Sequence, residues 1–114
     1  MDIQATDSRE RKHDVQRMAG NAERAAEFLK ALAHQSRLMI LCILSEGEKS
    51  VSELEEILSL RQPTVSQQLA RLRADGLVAT RRDGKAIYYR LASEEARIVV
   101  GAVYDVFCRK TRKR

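Results

Sequence analysis

The chain has 114 residues, enough for one domain with a core of its own and too few for two. Charged residues make up 32% of it and aromatics 4%, with one proline and five glycines, a mixture that suits a soluble, mainly helical protein. Net charge is +5, and the longest unbroken apolar run, Leu38 to Leu44, is far too short for a membrane span, which excludes an embedded protein.

The opening residues, "MDIQATDSRERKHD", are polar, charged and without period, so residues 1–13 are expected to be a disordered tail with no secretion signal, and the protein to be cytoplasmic. A helical pattern begins at Val15, where Ala22, Ala25, Ala26, Phe28, Leu29 and Leu32 carry an apolar stripe to about Ala33. A second helix is expected from Gln35 to Ser45; it is apolar on every side and holds Cys42, one of two cysteines. "EGEKS" reads as a polar loop. "SVSELEEILSL" offers two overlapping capping boxes, Ser50 with Glu53 and Ser52 with Glu55, either of which starts a short third helix with Leu54, Ile57 and Leu58 facing inward.

In "RQPTVSQQLARLRADGL", Pro63 suits the first turn of a helix and Gly76 its C-terminal stop. Val65, Leu69 and Leu72 form a buried stripe, and Thr64, Gln67, Gln68 and Arg71 a second, uncharged-to-basic stripe about 120° round the same helix. "LVATRRDGKAIYYRL" reads as a β-hairpin turning at Asp83-Gly84. Val78, Ile87, Tyr89 and Leu91 fall on its core face, Ala79, Arg81, Ala86, Tyr88 and Arg90 on the other, with Arg82 and Lys85 at the tip. Ser93 caps a last helix bearing Ile98, Val99, Val103, Val106 and Phe107, more apolar surface than one small core needs and so suited to a dimer interface.

Charge is placed unevenly along this order. Residues 61–90 carry seven basic side chains against Asp75 and Asp83, whereas residues 44–58 carry five glutamates against Lys49. Three helices, a recognition-type helix, a basic hairpin and a closing helix make a mainly α fold with a small β-hairpin, the layout of a winged helix-turn-helix. Gln67 and Gln68 suit adenine edges, and Gln62, Thr64 and Ser66 lie near a helix N-terminus where phosphate is favoured. Arg71 suits guanine or phosphate, and Arg81, Arg82 and Lys85 suit the flanking backbone or minor groove. Residues 14–110 are therefore expected to be the DNA-binding and dimerisation domain, and 111–114 a basic tail. No Ser/His/Asp arrangement, phosphate loop or carboxylate pair points to an enzyme, and no cofactor is implied.

The segments "ALAHQSRLMILCIL", "SVSELEEIL", "QPTVSQQLARLRADGLV" and "RRDGKAIYYRL" resemble the arsenical-resistance repressor (ArsR/SmtB) family over about residues 20–108. The resemblance implies a homodimer paired through the first and last helices, which binds a near-palindromic operator and is released by an inducer. The family's metal sites use cysteines at the start of the third helix, or aspartate and histidines on the last. Here the third helix has no Cys or His, the last has no His, and His13 and His34 are scattered, so no metal site is expected.

Cys42 is open to two readings, a small core hydrophobe or a reactive thiol. Cys108 tips the balance because it lies on the last helix, and this pair resembles the persulfide-sensing, BigR/SqrR-like branch of the family. That resemblance implies reactive sulfur species, persulfide or polysulfide, as inducer. Thiols too far apart for a direct disulfide, which needs Cα atoms within roughly 7 Å, are still spanned by a longer sulfur chain. Apolar surroundings should keep Cys42 protonated, and Arg109 and Arg112 should favour thiolate at Cys108, so Cys108 is expected to react first. A repressor answering another oxidant or arsenite, and an effector-independent DNA-binding protein with inert cysteines, remain the alternatives.

Overall fold

The computed structural model describes residues 8–109. The chain divides after Leu32 into two compact units. The first is a single helix, α1 (Ser8–Leu32), on which Val15, Met18 and Leu29 are exposed. It starts well ahead of Val15, so residues 8–13, expected to be disordered, are helical; residues 1–7 lie outside the described part. The stretch "SRERKHD" contains no helix breaker, places Glu10 in the first turn and sets Asp14 3.4 Å from Arg17. A polar helix extends on propensity and i,i+3 pairing without an apolar stripe, the signal that sequence periodicity reads.

The second unit runs α2 (Gln35–Leu44), β1 (Lys49–Ser50), α3 (Val51–Leu58), α4 (Gln62–Ala74), β2 (Val78–Asp83), β3 (Ala86–Leu91) and α5 (Glu94–Phe107). Ile40, Leu41 and Leu44 of α2, Leu54 of α3, and Val65, Leu69 and Leu72 of α4 fill the core, closed by Leu91 and Val100. Ile57 does not join them and is 52% exposed, because eight residues of α3 bring only Leu54 fully inside. Of the two capping boxes, the Ser50–Glu53 box forms: the Ser50 hydroxyl accepts from the Glu53 N–H and the Glu53 carboxylate accepts from the Ser50 N–H. Such a cap contributes about 1 kcal/mol. Ser59 then takes a left-handed φ of 56° and turns the chain toward α4.

Helix α4 ends as a Schellman motif. Gly76 (φ +74°) donates to the Arg73 carbonyl, and Leu77 donates to that of Leu72. The sheet has order β1-β3-β2 and is antiparallel throughout. Its third strand, β1, lies in the stretch expected as loop; two residues are too few to show an alternation.

The hairpin also differs from expectation. Asp83 pairs with Ala86, so the two-residue turn is Gly84-Lys85, with Gly84 at φ +67°. A positive φ at the first turn position is what glycine tolerates best. The register moves by two residues, and since side chains alternate with period two, the expected faces survive unchanged. Val78 and Leu91 are buried at the base, Tyr89 is half-buried, and Ile87 is exposed near the tip.

Candidate nucleic-acid interface and cysteine groove

The buried stripe of α4 holds the helix against α2 and α3 and turns its polar stripe outward. Thr64, Gln67 and Arg71 are exposed, and Ser66 and Gln68 are half-buried. At the N-terminus Arg61 offers no side-chain cap, Pro63 has no N–H, and the Thr64 and Val65 N–H groups donate to the Arg61 carbonyl. Gln62 donates to the Ser66 hydroxyl, and Arg71 lies 3.4 Å from Asp75. Both contacts hold these side chains along the helix surface.

Gln68 has a partner that sequence reasoning missed. Arg37 is buried, the only charged residue of α2, and its Nη1 donates to Gln68 Oε1 at 3.4 Å. A lone arginine in "QSRLMILCIL" is the signal, since a charge in an apolar helix needs a polar neighbour. That contact orients the glutamine amide of α4 from beneath.

Three wing cations are in place, in different circumstances. Arg82 and Lys85 are exposed with no ion pair among the described residues. Arg81 instead makes a bidentate pair with Glu48, at 2.8 and 2.9 Å, and stacks 4.7 Å from the centroid of the Tyr88 ring.

The cysteines meet elsewhere. Leu38, Met39, Cys42 and Ile43 of α2 face Val103, Tyr104, Phe107 and Cys108 at the end of α5, around a groove of about 320 Å³. None of these lining residues is charged. Both thiols are free, Cys42 buried and Cys108 exposed immediately after α5. Burial pushes the Cys42 thiol above its ordinary pKa, and the neighbouring Cys108 pushes it the same way. Arg109, expected to favour a Cys108 thiolate, is instead paired with Asp105 at 3.1 Å. A carboxylate one turn away is a stronger partner for guanidinium than a thiol. Arg112 lies outside the described residues. No cluster of three or more metal-ligating side chains occurs among the described residues, and no helix there is long and apolar enough to cross a membrane.

Comparison with known proteins matches this architecture. Residues 34–80 fit the family model "Bacterial regulatory protein, arsR family". The chain is 52% identical over 91 residues to a biofilm growth-associated repressor of Agrobacterium fabrum, covering 80% of this chain and 78% of that protein. The crystal structure of the transcriptional repressor BigR from Xylella fastidiosa superimposes with a TM-score of 0.78 at 45% identity, covering 87% of this chain and 98% of that one. A homodimeric winged helix-turn-helix DNA-binding domain of Mycobacterium bovis, a possible ArsR-family regulator, superimposes with a TM-score of 0.68 at 31% identity, covering 91% and 89%. The winged helix-turn-helix, the exposed polar stripe of α4 and these likenesses agree: the chain belongs to the arsR family of bacterial regulatory proteins and is a DNA-binding transcriptional regulator, not an enzyme.

Proposed function

We propose that the protein is a homodimeric repressor of the bacterial cytoplasm, which binds double-stranded operator DNA and leaves it when Cys42 and Cys108 are bridged by sulfane sulfur. The observation that carries this reading is the shared groove: the chain's two cysteines, far apart in sequence, line one apolar cavity between α2 and α5. The dimer is supported by apolar residues left uncovered, Ile98, Val106 and Phe107 on α5 at 63%, 72% and 80% exposure and Val15, Met18 and Leu29 on α1. Two recognition helices related by a twofold axis reach successive major grooves about 34 Å apart. The proposed DNA contacts are Thr64, Ser66, Gln67, Gln68 and Arg71 on α4, with Gln62 at its start and Arg82 and Lys85 on the wing.

Exposed Cys108 attacks first. Its thiolate takes the outer sulfur of a persulfide and releases the parent thiol. Repetition lengthens the chain, and Cys42 closes the bridge by displacing hydrogen sulfide from its end. For two inserted sulfur atoms, two cysteine thiols and three persulfides yield the tetrasulfide, three thiols and one hydrogen sulfide. The bridge then fixes α2 against α5 and with them the setting of α4. A coupling of about 1–3 kcal/mol weakens operator binding about 5- to 150-fold.

The test is intact mass and DNA affinity together, using a fragment selected from random sequence by the reduced protein. A persulfide donor is expected to add two sulfur atoms per chain, remove both free thiols and weaken binding, and peroxide to do neither. Cys42→Ser and Cys108→Ser should bind DNA and stay bound in the presence of the donor, Cys42→Ser still gaining sulfur at Cys108 without a bridge. Release by peroxide or arsenite would reassign the inducer. An unchanged mass, or sulfur uptake without release, would leave Cys42 a core residue.

A further inference from the structure

We propose that Arg81 is a positioning residue that ties the wing to the segment ahead of α3 through Glu48, leaving phosphate contact on the wing to Arg82 and Lys85. The proposal rests on the DNA-binding reading of the wing and revises the role that sequence position suggests for Arg81. Two of the three nitrogens of its guanidinium are committed: Nε and Nη2 donate to the two Glu48 oxygens, while Nη1 lies 3.8 Å from Asp83, an ion pair beyond hydrogen-bond distance.

The sheet order gives this contact its mechanical meaning. Arg81 belongs to β2, Glu48 directly precedes β1, and β3 runs between them. Ser50 and Arg81 both pair with Tyr88, from opposite sides, and continuing the β1–β3 ladder by one residue sets Glu48 opposite Arg90. The ion pair therefore bridges the two outer strands across the central one, a span of about 10 Å. The Tyr88 ring lies under the guanidinium midway, which accounts for the cation–π contact. Few side chains other than arginine reach that far and still grip a carboxylate with two bonds. β1 is only two residues long, so without this tie the hairpin would be joined to the body on that side by two ladder pairs.

The hydrogen bond to Arg81 holds the Glu48 carboxyl below its ordinary pKa, and the one to Glu48 raises that of Arg81. The tie is thus present above the ordinary carboxylate range and is lost as pH falls through the lowered value for Glu48. Arg82 and Lys85, one residue beyond and at the turn, have no carboxylate to leave before meeting phosphate.

The experiment compares Arg81→Gln, Lys85→Gln, Arg81→Glu and the charge swap Glu48→Arg/Arg81→Glu in the full chain. Without DNA, hydrogen exchange of the hairpin amides is expected to speed up about two- to fivefold in Arg81→Gln, to stay unchanged in Lys85→Gln and to recover in the swap relative to Arg81→Glu. With DNA, Lys85→Gln should lower the slope of log affinity against log salt by about one, whereas Arg81→Gln should weaken binding with the slope retained. The swap keeps net charge constant and should regain most of the affinity lost in Arg81→Glu. A slope reduced by about one in Arg81→Gln with hairpin exchange unchanged overturns the proposal. If the wild-type protein binds no DNA, the functional reading fails instead, and the exchange measurements alone decide the tie.

Discussion

Helices α2 and α4 touch each other, yet they are built to opposite rules. Along α4 only Val65, Leu69 and Leu72 are buried, and the remaining positions, polar or basic apart from Pro63, Ala70 and Ala74, are exposed or half-buried. Along α2 five of ten residues are buried, including Arg37 and Cys42, and a further three, Leu38, Met39 and Ile43, line the groove beside Cys42 without being buried, Met39 being 43% exposed. The contrast separates two duties. Thr64, Gln67 and Arg71 on the outer stripe of α4 are free of the core and can be changed without unfolding the protein. In α2 the thiol is itself a packing residue, so chemistry there is felt by the core, which is what a sensor helix requires. Arg37 links the two, reaching from α2 to Gln68 on α4.

The contrast can be broken first at its strongest point. Leu69→Ala empties a fully buried site between α4 and its neighbours and is expected to cost about 2–5 kcal/mol in chemical denaturation. Gln67→Ala, two residues earlier on the outer stripe, should cost less than about 0.5 kcal/mol of stability while losing about 1–3 kcal/mol of discrimination at one base position, read by binding to single-base operator variants. Comparable stability losses from the two would show that the outer stripe is not independent of the core.

A second comparison sharpens the two cysteines. Cys42→Ser places a hydroxyl among Leu38, Met39 and Ile43 and should destabilise by about 1–3 kcal/mol, whereas Cys108→Ser should be neutral within about 0.5 kcal/mol. Equal effects would mean that the groove does not pack as described. The smallest effect concerns rate. Because burial raises the Cys42 pKa, its thiol is the favoured form in the folded protein, and the associated stability is present at lower pH and lost as pH rises through the raised value. Iodoacetamide should therefore label Cys108 first, with labelling of Cys42 gaining only above the ordinary thiol range, as read by peptide mass. Faster labelling of Cys42 at neutral pH would reverse the order of attack proposed above.

Much of this was legible in the chain itself. Local signals decide α4: Pro63 at the start, Gly76 at the end and the apolar stripe of Val65, Leu69 and Leu72 between leave little else for that segment to be. The hairpin was legible as well, but its turn was not. Asp-Gly is favoured locally, and the pairing of Val78 with Leu91 at the buried base selects Gly84-Lys85 instead. Ile57 and residues 8–13 went astray for opposite reasons. The first is an apolar residue on a helix too short to bury it, the second a polar stretch that becomes helical with no apolar period to show it.

What the amino-acid sequence determined alone is whatever depends on neighbours a few residues apart: helices, caps, faces and the uneven placement of charge. Those interactions act within a turn or a strand pair, so spacing reveals them. Tertiary structure alone decided the contacts that join distant segments. It brought Cys42 and Cys108 to one groove, set Arg37 under Gln68, and closed Glu48 on Arg81 across a strand neither belongs to. Such pairings are chosen by how whole elements pack, and packing is a property of the assembled core that no window of sequence contains.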